Sequence, residues 1–156
     1  MNFLKKIILI TAGDPASIAS EITLKAINSS KINKNICPVV ITNKYLLKNI
    51  KRITGINLSI NEIKDIKNFV DYKNNCLNII PIEIEKDVVL GKPNTKNCDF
   101  LKNSIVKSVK ILANSCASAI VTNPINKNIM HKSGFNFSGH TDFLASLSLK
   151  KTPVMM

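Results

Sequence analysis

Short, uninterrupted apolar runs alternate along this chain with longer stretches whose apolar residues return at helical spacing. Leu4 to Thr11 is one such run, and it predicts a strand buried on both faces. Ser17 to Asn28 follows with Ile18, Ile22, Leu24, Ala26 and Ile27 spaced for one face of a helix. Pro38 to Thr42 predicts a second buried strand, and Lys44 to Ile53 a helix with a basic face. Ile56 to Ile60 predicts a short strand, Glu62 to Phe69 a charged helical turn, and Asp71 to Asn75 a polar loop. Leu77 to Ile80 is a further short strand. Pro81 interrupts it, which favours an edge position or an early end, because proline has no N–H to give a neighbour.

Beyond a polar loop at Lys92 to Asn97, the stretch Phe100 to Asn114 carries Leu101, Ile105, Val109, Ile111 and Leu112, an amphipathic helix. Ala117 to Thr122 predicts a strand, Ile125 to Lys132 a short helix stopping at Gly134, and Thr141 to Ser148 another helix. Strands alternating with helices predict an α/β protein, a three-layer α/β/α sandwich with a mostly parallel sheet. Thr152 to Met156 reads as the first half of one more buried strand. A strand opening there has no helix to cover it. The expectation is the N-terminal part of a longer protein, with residues 1–122 forming a first α/β domain and 123–156 the start of a second.

Composition narrows the classes. Hydrophobic residues are 45% and charged residues 21% of 156, as in ordinary globular chains. No apolar run approaches the roughly 20 residues that span a bilayer. The basic start before Ile7–Ile10 is too short for a secretory signal and runs into Gly13-Asp14-Pro15, so the expectation is a cytoplasmic protein with no membrane partner. The net charge of +12 raises the question of nucleic acid. The lysines, however, are scattered, aromatics are 5% and tryptophan is absent, so a stacking surface is not expected. A positive field does attract small anions such as phosphate esters. Cys37, Cys76, Cys98 and Cys116 form no Cys-x-x-Cys pair, and Cys37, Cys76 and Cys116 adjoin apolar runs, where reduced core thiols are the default.

Candidate chemistry sits at three strand-to-helix or loop-to-helix junctions. Thr11-Ala12-Gly13-Asp14-Pro15 and Thr122-Asn123-Pro124 each place an Asx residue to cap a helix and a proline to enter its first turn, where the missing N–H is not needed. Both lie at carboxyl ends of predicted parallel strands, where open α/β sheets bind ligands. Asp14, Asn123 and Lys127 are therefore expected to line a cleft, with helix N–H groups favouring an anion. Plain helix capping explains the same residues equally well.

The third junction is Ser138-Gly139-His140-Thr141-Asp142, with Thr141 as candidate N-cap and Asp142 against the positive helix end. An imidazole and a hydroxyl beside free N–H groups suit a phosphate or carboxylate, although a surface histidine at a helix boundary fits as well. His131, in the last turn of its helix, reads as structural. Two histidines in separate segments and no clustered carboxylates supply no metal site, and no catalytic base is assigned.

Taken together, Gly13-Asp14-Pro15-Ala16 with Glu21-Ile22, Val121 to Lys127, Gly134-Phe135 through Leu144, and Val154-Met155-Met156 resemble the 4-hydroxythreonine-4-phosphate dehydrogenase family in order and spacing. The resemblance implies an isocitrate/isopropylmalate-dehydrogenase-like fold and a homodimer with a cleft between two α/β domains. It implies oxidation of 4-phosphooxy-L-threonine in vitamin B6 synthesis, with NAD or NADP as hydride acceptor and a divalent metal (Zn, Mg or Co). By resemblance His140 and Thr141 contact substrate. Ser17, Ala19 and Ser20 depart from the family's Gly, Gly and Pro, which predicts a tightened loop. The family's metal-binding histidines and its later substrate-binding Lys, Asn and Arg fall beyond Met156, so metal ligands are expected to be absent from this chain. The alternative to an NAD-dependent oxidoreductase is then a catalytically inactive fragment, or half of a split enzyme.

Overall fold

A computed structural model describes residues 6–29, 32–64, 66, 73–85, 88–114, 117–148 and 153. Its elements are β1 (Lys6–Thr11), α1 (Ala19–Asn28), β2 (Ile36–Thr42), α2 (Lys44–Thr54), β3 (Ser59–Glu62), β4 (Cys76–Pro81), α3 (Cys98–Asn114), β5 (Ala117–Val121), α4 (Lys127–Lys132) and α5 (His140–Leu147). A 3₁₀ turn at Thr95–Asn97 leads into α3. The five strands form one sheet in the order β3-β4-β2-β1-β5, and every pairing is parallel.

Period-two alternation places one set of strand residues on each face. Val40, Leu77 and Ile79 meet Leu24 of α1 and Leu46, Leu47 and Ile50 of α2. Ile7, Leu9, Val39, Ile41 and Ile80 point the other way, where Ile111 and Leu112 of α3 and Ile63 cover them. Three layers result, and because both faces are covered the central strands read as continuous apolar runs. Leu9, Val39, Ile41, Leu77 and Ile79 are fully buried, each contributing about 1.5–3 kcal/mol relative to exposure. A second stripe of α3 (Cys98, Leu101, Ile105) packs with Met130, Phe135 and Phe143, so α4 and α5 dock on the helix rather than on the sheet. Phe135, Phe137 and Phe143 form a trio with ring centroids 5.1–5.2 Å apart.

Several boundaries differ from the sequence reading, each for a local reason. The third strand lies at Ser59–Glu62 rather than Ile56–Ile60, because Ser59 to Glu62 is the stretch that finds register with Cys76 to Ile79. Pro81 ends its strand but not at an edge, since β4 lies between β3 and β2. Its missing donor is harmless there: Ile82 N–H, one residue on, reaches the Thr42 carbonyl at 3.0 Å. Pro38 sits inside β2, at a position where pairing with β4 has not yet begun. Helix α2 has the clearest stops in the chain. Asn43 accepts from Tyr45 N–H at 2.8 Å, and Gly55 takes the left-handed conformation with φ 70°.

The expected strand at Thr152–Met156, the start of the first strand at Leu4 and Lys5, most of the turns at 65–72, and Cys116 lie outside the described residues. Cys37 and Cys98 are buried, and Cys76 is half-buried. Among the described residues, no helix is long and apolar enough to cross a membrane.

Candidate functional site

The strand order creates a switch point. From β1 the chain steps to β2 on one side and later returns to place β5 on the other. Loops leaving β1 and β5 at their carboxyl ends therefore diverge, and such a crevice is where parallel α/β sheets hold ligands. A cleft of about 460 Å³ opens there, with Asp14, Ser17 and Ile18 on the β1 side and Pro124 to Asn128 on the β5 side.

The β1 loop is built on Gly13. Its φ is +70°, and a Cβ at this position would fall 2.6 Å from both Ala19 Cβ and Asn123 Cβ. No other residue fits so tight an approach. Asp14 does not cap α1, as the sequence suggested. Its carboxylate accepts from Ala16 N–H at 2.9 Å and closes a separate turn before the helix begins at Ala19. Pro15 lies in that turn and not in the helix. Ser17 locks it further: its hydroxyl donates to the Asp14 carbonyl at 2.7 Å and accepts from Ala19 N–H at 3.1 Å. The loop is tight at the residue where the family resemblance has glycine.

On the β5 side Asn123 also proves not to be a cap. Helix α4 starts four residues later, capped by Asn126, which accepts from Ile129 N–H at 3.2 Å. Asn123 instead turns inward, 6% exposed. Its amide donates to the Thr11 carbonyl at 2.8 Å and the Thr23 hydroxyl at 2.7 Å, while its backbone N–H reaches Thr11 Oγ1. It ties the ends of β1 and β5 to α1 and lies beneath the cleft. Ser104 of α3 does the same for β1 and β2, donating to the Ile41 carbonyl at 2.9 Å and accepting from Ala12 N–H at 2.8 Å.

Lys127 is the link to the third junction. It lines the cleft, and its Cε and Nζ lie 3.4 and 3.6 Å from where a Cβ on Gly139 would stand. Gly139, not Thr141, is the N-cap residue of α5, and no side chain caps the helix. The helix opens one residue early because His140 already has helical geometry, which puts Thr141 in the first turn, exposed. Asp142, third in the helix, accepts a hydrogen bond from Ser138 Oγ and so turns toward the preceding loop.

His140 is half-buried, and its Nε2 is one of two sealed side-chain atoms without a hydrogen-bond partner among the described residues, the other being Thr42 Oγ1. Burial, and then the ammonium of Lys127, hold its pKa below the ordinary 6.5. The ring is therefore neutral at pH 7.

The structure thus brings Asp14 and Lys127 into one cleft and sets Gly139, the residue before His140, beside Lys127, while Asn123, His140 and Thr141 are not among the residues lining the cleft. Sequence reasoning missed Ser17, Ile18, Asn126 and Pro93 as wall residues. Pro93 arrives because Gly91 N–H bonds the Ala16 carbonyl at 2.8 Å, and nothing local in the sequence signals that contact. His131 is exposed in the last turn of α4 and does not line the cleft. Among the described residues no group of three or more His, Cys, Asp or Glu side chains is placed to hold a metal ion.

Residues 34–156 match the family model of the pyridoxal phosphate biosynthetic protein PdxA. A 4-hydroxythreonine-4-phosphate dehydrogenase of Wigglesworthia glossinidia brevipalpis is 36% identical over 157 residues, covering all of this chain and 46% of that protein. One from a Sulfurihydrogenibium species is 35% identical over 147 residues, covering 94% of this chain and 44% of its own length. The crystal structure of a 4-hydroxythreonine-4-phosphate dehydrogenase from Burkholderia phymatum superposes with a TM-score of 0.83 at 27% identity, covering 91% of this chain and 43% of that one. The chain spans less than half the length of each.

Proposed function

Because this chain belongs to the family of the pyridoxal phosphate biosynthetic protein PdxA, we propose that it provides the substrate-gripping part of a 4-hydroxythreonine-4-phosphate dehydrogenase. The observation that carries this reading is the position of Lys127, which lines the switch-point cleft and lies beside Gly139, the residue that leads into His140 and Thr141. A phosphorylated hydroxy-amino acid brings a dianionic phosphate. Lys127 supplies the opposing charge, and the N–H groups at the start of α5 and the Thr141 hydroxyl supply directed donors. Asp14, buried at the other wall, is placed to meet the substrate's ammonium. Hydrogen bonds to an ionised partner are the stronger kind.

In this reading the whole enzyme is a cytoplasmic homodimer acting on 4-phosphooxy-L-threonine, for which NAD or NADP would supply the hydride acceptor and a divalent metal would supply Lewis-acid chemistry. The described residues do not fit a metal centre, so no step through the metal is assigned to them. In this reading the metal ligands come from outside the described residues, which themselves contribute substrate binding and no turnover.

Calorimetric titration with 4-phosphooxy-L-threonine, and in parallel with L-threonine, tests the grip. Binding that needs the phosphate and falls at least about tenfold in Lys127→Met is expected for the loss of one charge-assisted contact. Equal affinity for the two ligands would refute it. The purified chain supplied with substrate, NAD and divalent metal is expected to form no NADH, and metal-dependent NADH formation would overturn the assignment of the redox half elsewhere.

A further inference from the structure

We propose that Ser17 is the positioning residue that sets the charge preference of this cleft: it holds Asp14 with one carboxylate oxygen open to a cationic group of the ligand, and it closes the β1 loop to anions. The inference deepens the phosphate-grip reading and rests on it, since it orients the ammonium end of the same ligand. Asp14 is 4% exposed and lines the cleft. Its N–H donates to the Pro124 carbonyl at 3.0 Å, and its carbonyl accepts from Ser17 N–H at 3.0 Å and from the Ser17 hydroxyl at 2.7 Å. Oδ1 accepts from Ala16 N–H at 2.9 Å. Oδ2 alone has no hydrogen-bond partner among the described residues. It is also not one of the sealed side-chain atoms, so the cleft is its access.

A carboxylate so placed calls for a cation. Taking it out of water without one is costly, because nothing replaces the hydration it gives up. Lys127 is the other charged side chain lining the cleft, and the two form no ion pair. Their charges therefore stay apart, one on each wall, for a ligand that carries both signs.

Anions are held where several N–H groups converge on one point. In the β1 loop those of Asp14, Ala16, Ser17 and Ala19 are spent on Pro124, Asp14 and Ser17, and Pro15 has none. Ile18 N–H is the one left among the described residues of the loop. A single N–H is no cradle, and the Asp14 carboxylate stands on the same wall. Ser17 closes the set, because its hydroxyl takes Ala19 N–H at 3.1 Å while it holds the Asp14 carbonyl. The glycine that the family resemblance has at this position carries no hydroxyl to do either. A phosphate is thereby left to the Lys127 wall, and the ligand has one orientation.

The test is a ratio of affinities, measured calorimetrically on the whole chain. One ligand is 4-phosphooxy-L-threonine, and the other is its analogue with hydrogen in place of the α-ammonium. A variant that is merely less folded weakens both ligands by the same factor and leaves the ratio unmoved. The parent should prefer the ammonium-bearing ligand about tenfold, the scale of one hydrogen bond between charged groups. Asp14→Asn should bring the ratio close to one. Ser17→Ala and Ser17→Gly both remove the hydroxyl, so either serves if the other fails to fold, and each should lower the ratio to about threefold or less. Ser17→Thr, which keeps the hydroxyl, should retain the parent's preference. A ratio that survives Asp14→Asn, or a Ser17→Thr ratio no better than that of the hydroxyl-free variants, would overturn the proposal. Phosphate-dependent binding with no preference for the ammonium sinks this inference alone. Binding that ignores the phosphate sinks the grip and this inference together.

Discussion

Replacing Gly13 by alanine separates two costs that usually arrive together. The new methyl group would stand 2.6 Å from Ala19 Cβ and Asn123 Cβ and 3.0 Å from the Pro124 carbonyl oxygen, well inside the 3.4 Å where ordinary contact begins. None of these neighbours is a loose side-chain end. Ala19 is fully buried in the first turn of α1, and Asn123 is held by its bonds to Thr11 and Thr23. Relieving the overlap must move backbone, at about 1–3 kcal/mol for overpacking. The left-handed φ of +70° costs an L-residue a further 1–2 kcal/mol or so. Gly55 has the same φ of +70° with nothing within 4 Å of its virtual Cβ. Gly55→Ala therefore carries the conformational cost and the unfolded-state gain of alanine without the crowding.

Urea unfolding followed by far-ultraviolet circular dichroism measures both. With a slope of about 2 kcal/mol per molar, the midpoint of Gly13→Ala should fall roughly 0.5–1.5 M below that of Gly55→Ala. Coincident midpoints would refute the claim that the β1 loop, α1 and the β5 loop are packed to contact at this point. Movement there would also displace the Asp14 and Lys127 walls, so Gly13→Ala should bind phosphate more weakly than Gly55→Ala does.

Three further outcomes follow from the same geometry. Asn123→Ala leaves the Thr11 carbonyl and the Thr23 hydroxyl without their amide partner, and urea unfolding should show a loss of about 2–4 kcal/mol; a loss under about 1 kcal/mol would contradict the tie. Ser104→Ala removes a buried hydroxyl that both donates to Ile41 and accepts from Ala12, with an expected cost of about 1–3 kcal/mol in the same assay. Because the folded pKa of His140 lies below 6.5, the unfolded chain binds that proton first. The contribution is whole above 6.5 and is lost as pH falls from there through the folded pKa. His140→Asn should flatten this part of the stability–pH profile, and an unchanged profile would count against the neutral ring.

Much of the fold is legible in the sequence because a parallel sheet covered on both faces leaves a local trace. Leu9, Val39, Ile41 and Ile79 lie in runs with no polar face, and α2 and α3 carry their buried residues at helical spacing. Gly134 stands in the left-handed conformation just past α4, where its type suggested. What could not be read locally is what depends on partners distant along the chain. Asp14, Asn123 and Thr141 have the composition of caps, yet the caps are elsewhere or absent, because capping needs only a nearby N–H whereas Asn123 answers to Thr11 and Thr23, about a hundred residues away. Pro81 illustrates the same limit. Its ring forbids one hydrogen bond, but only the register with β2 reveals that the bond was never needed. The contact of Lys127 with Gly139 likewise joins two segments whose sequences say nothing of each other.

Amide chemical-shift mapping of the whole chain with 4-phosphooxy-L-threonine, against L-threonine as control, tests the central claim that the switch-point cleft grips the phosphorylated substrate. The account predicts phosphate-dependent shifts concentrated at Ser17, Ile18, Lys127, His140 and Thr141. Shifts gathered instead at the basic depression formed by Lys48, Lys51 and Arg52 of α2, or the same shifts with L-threonine, would contradict it.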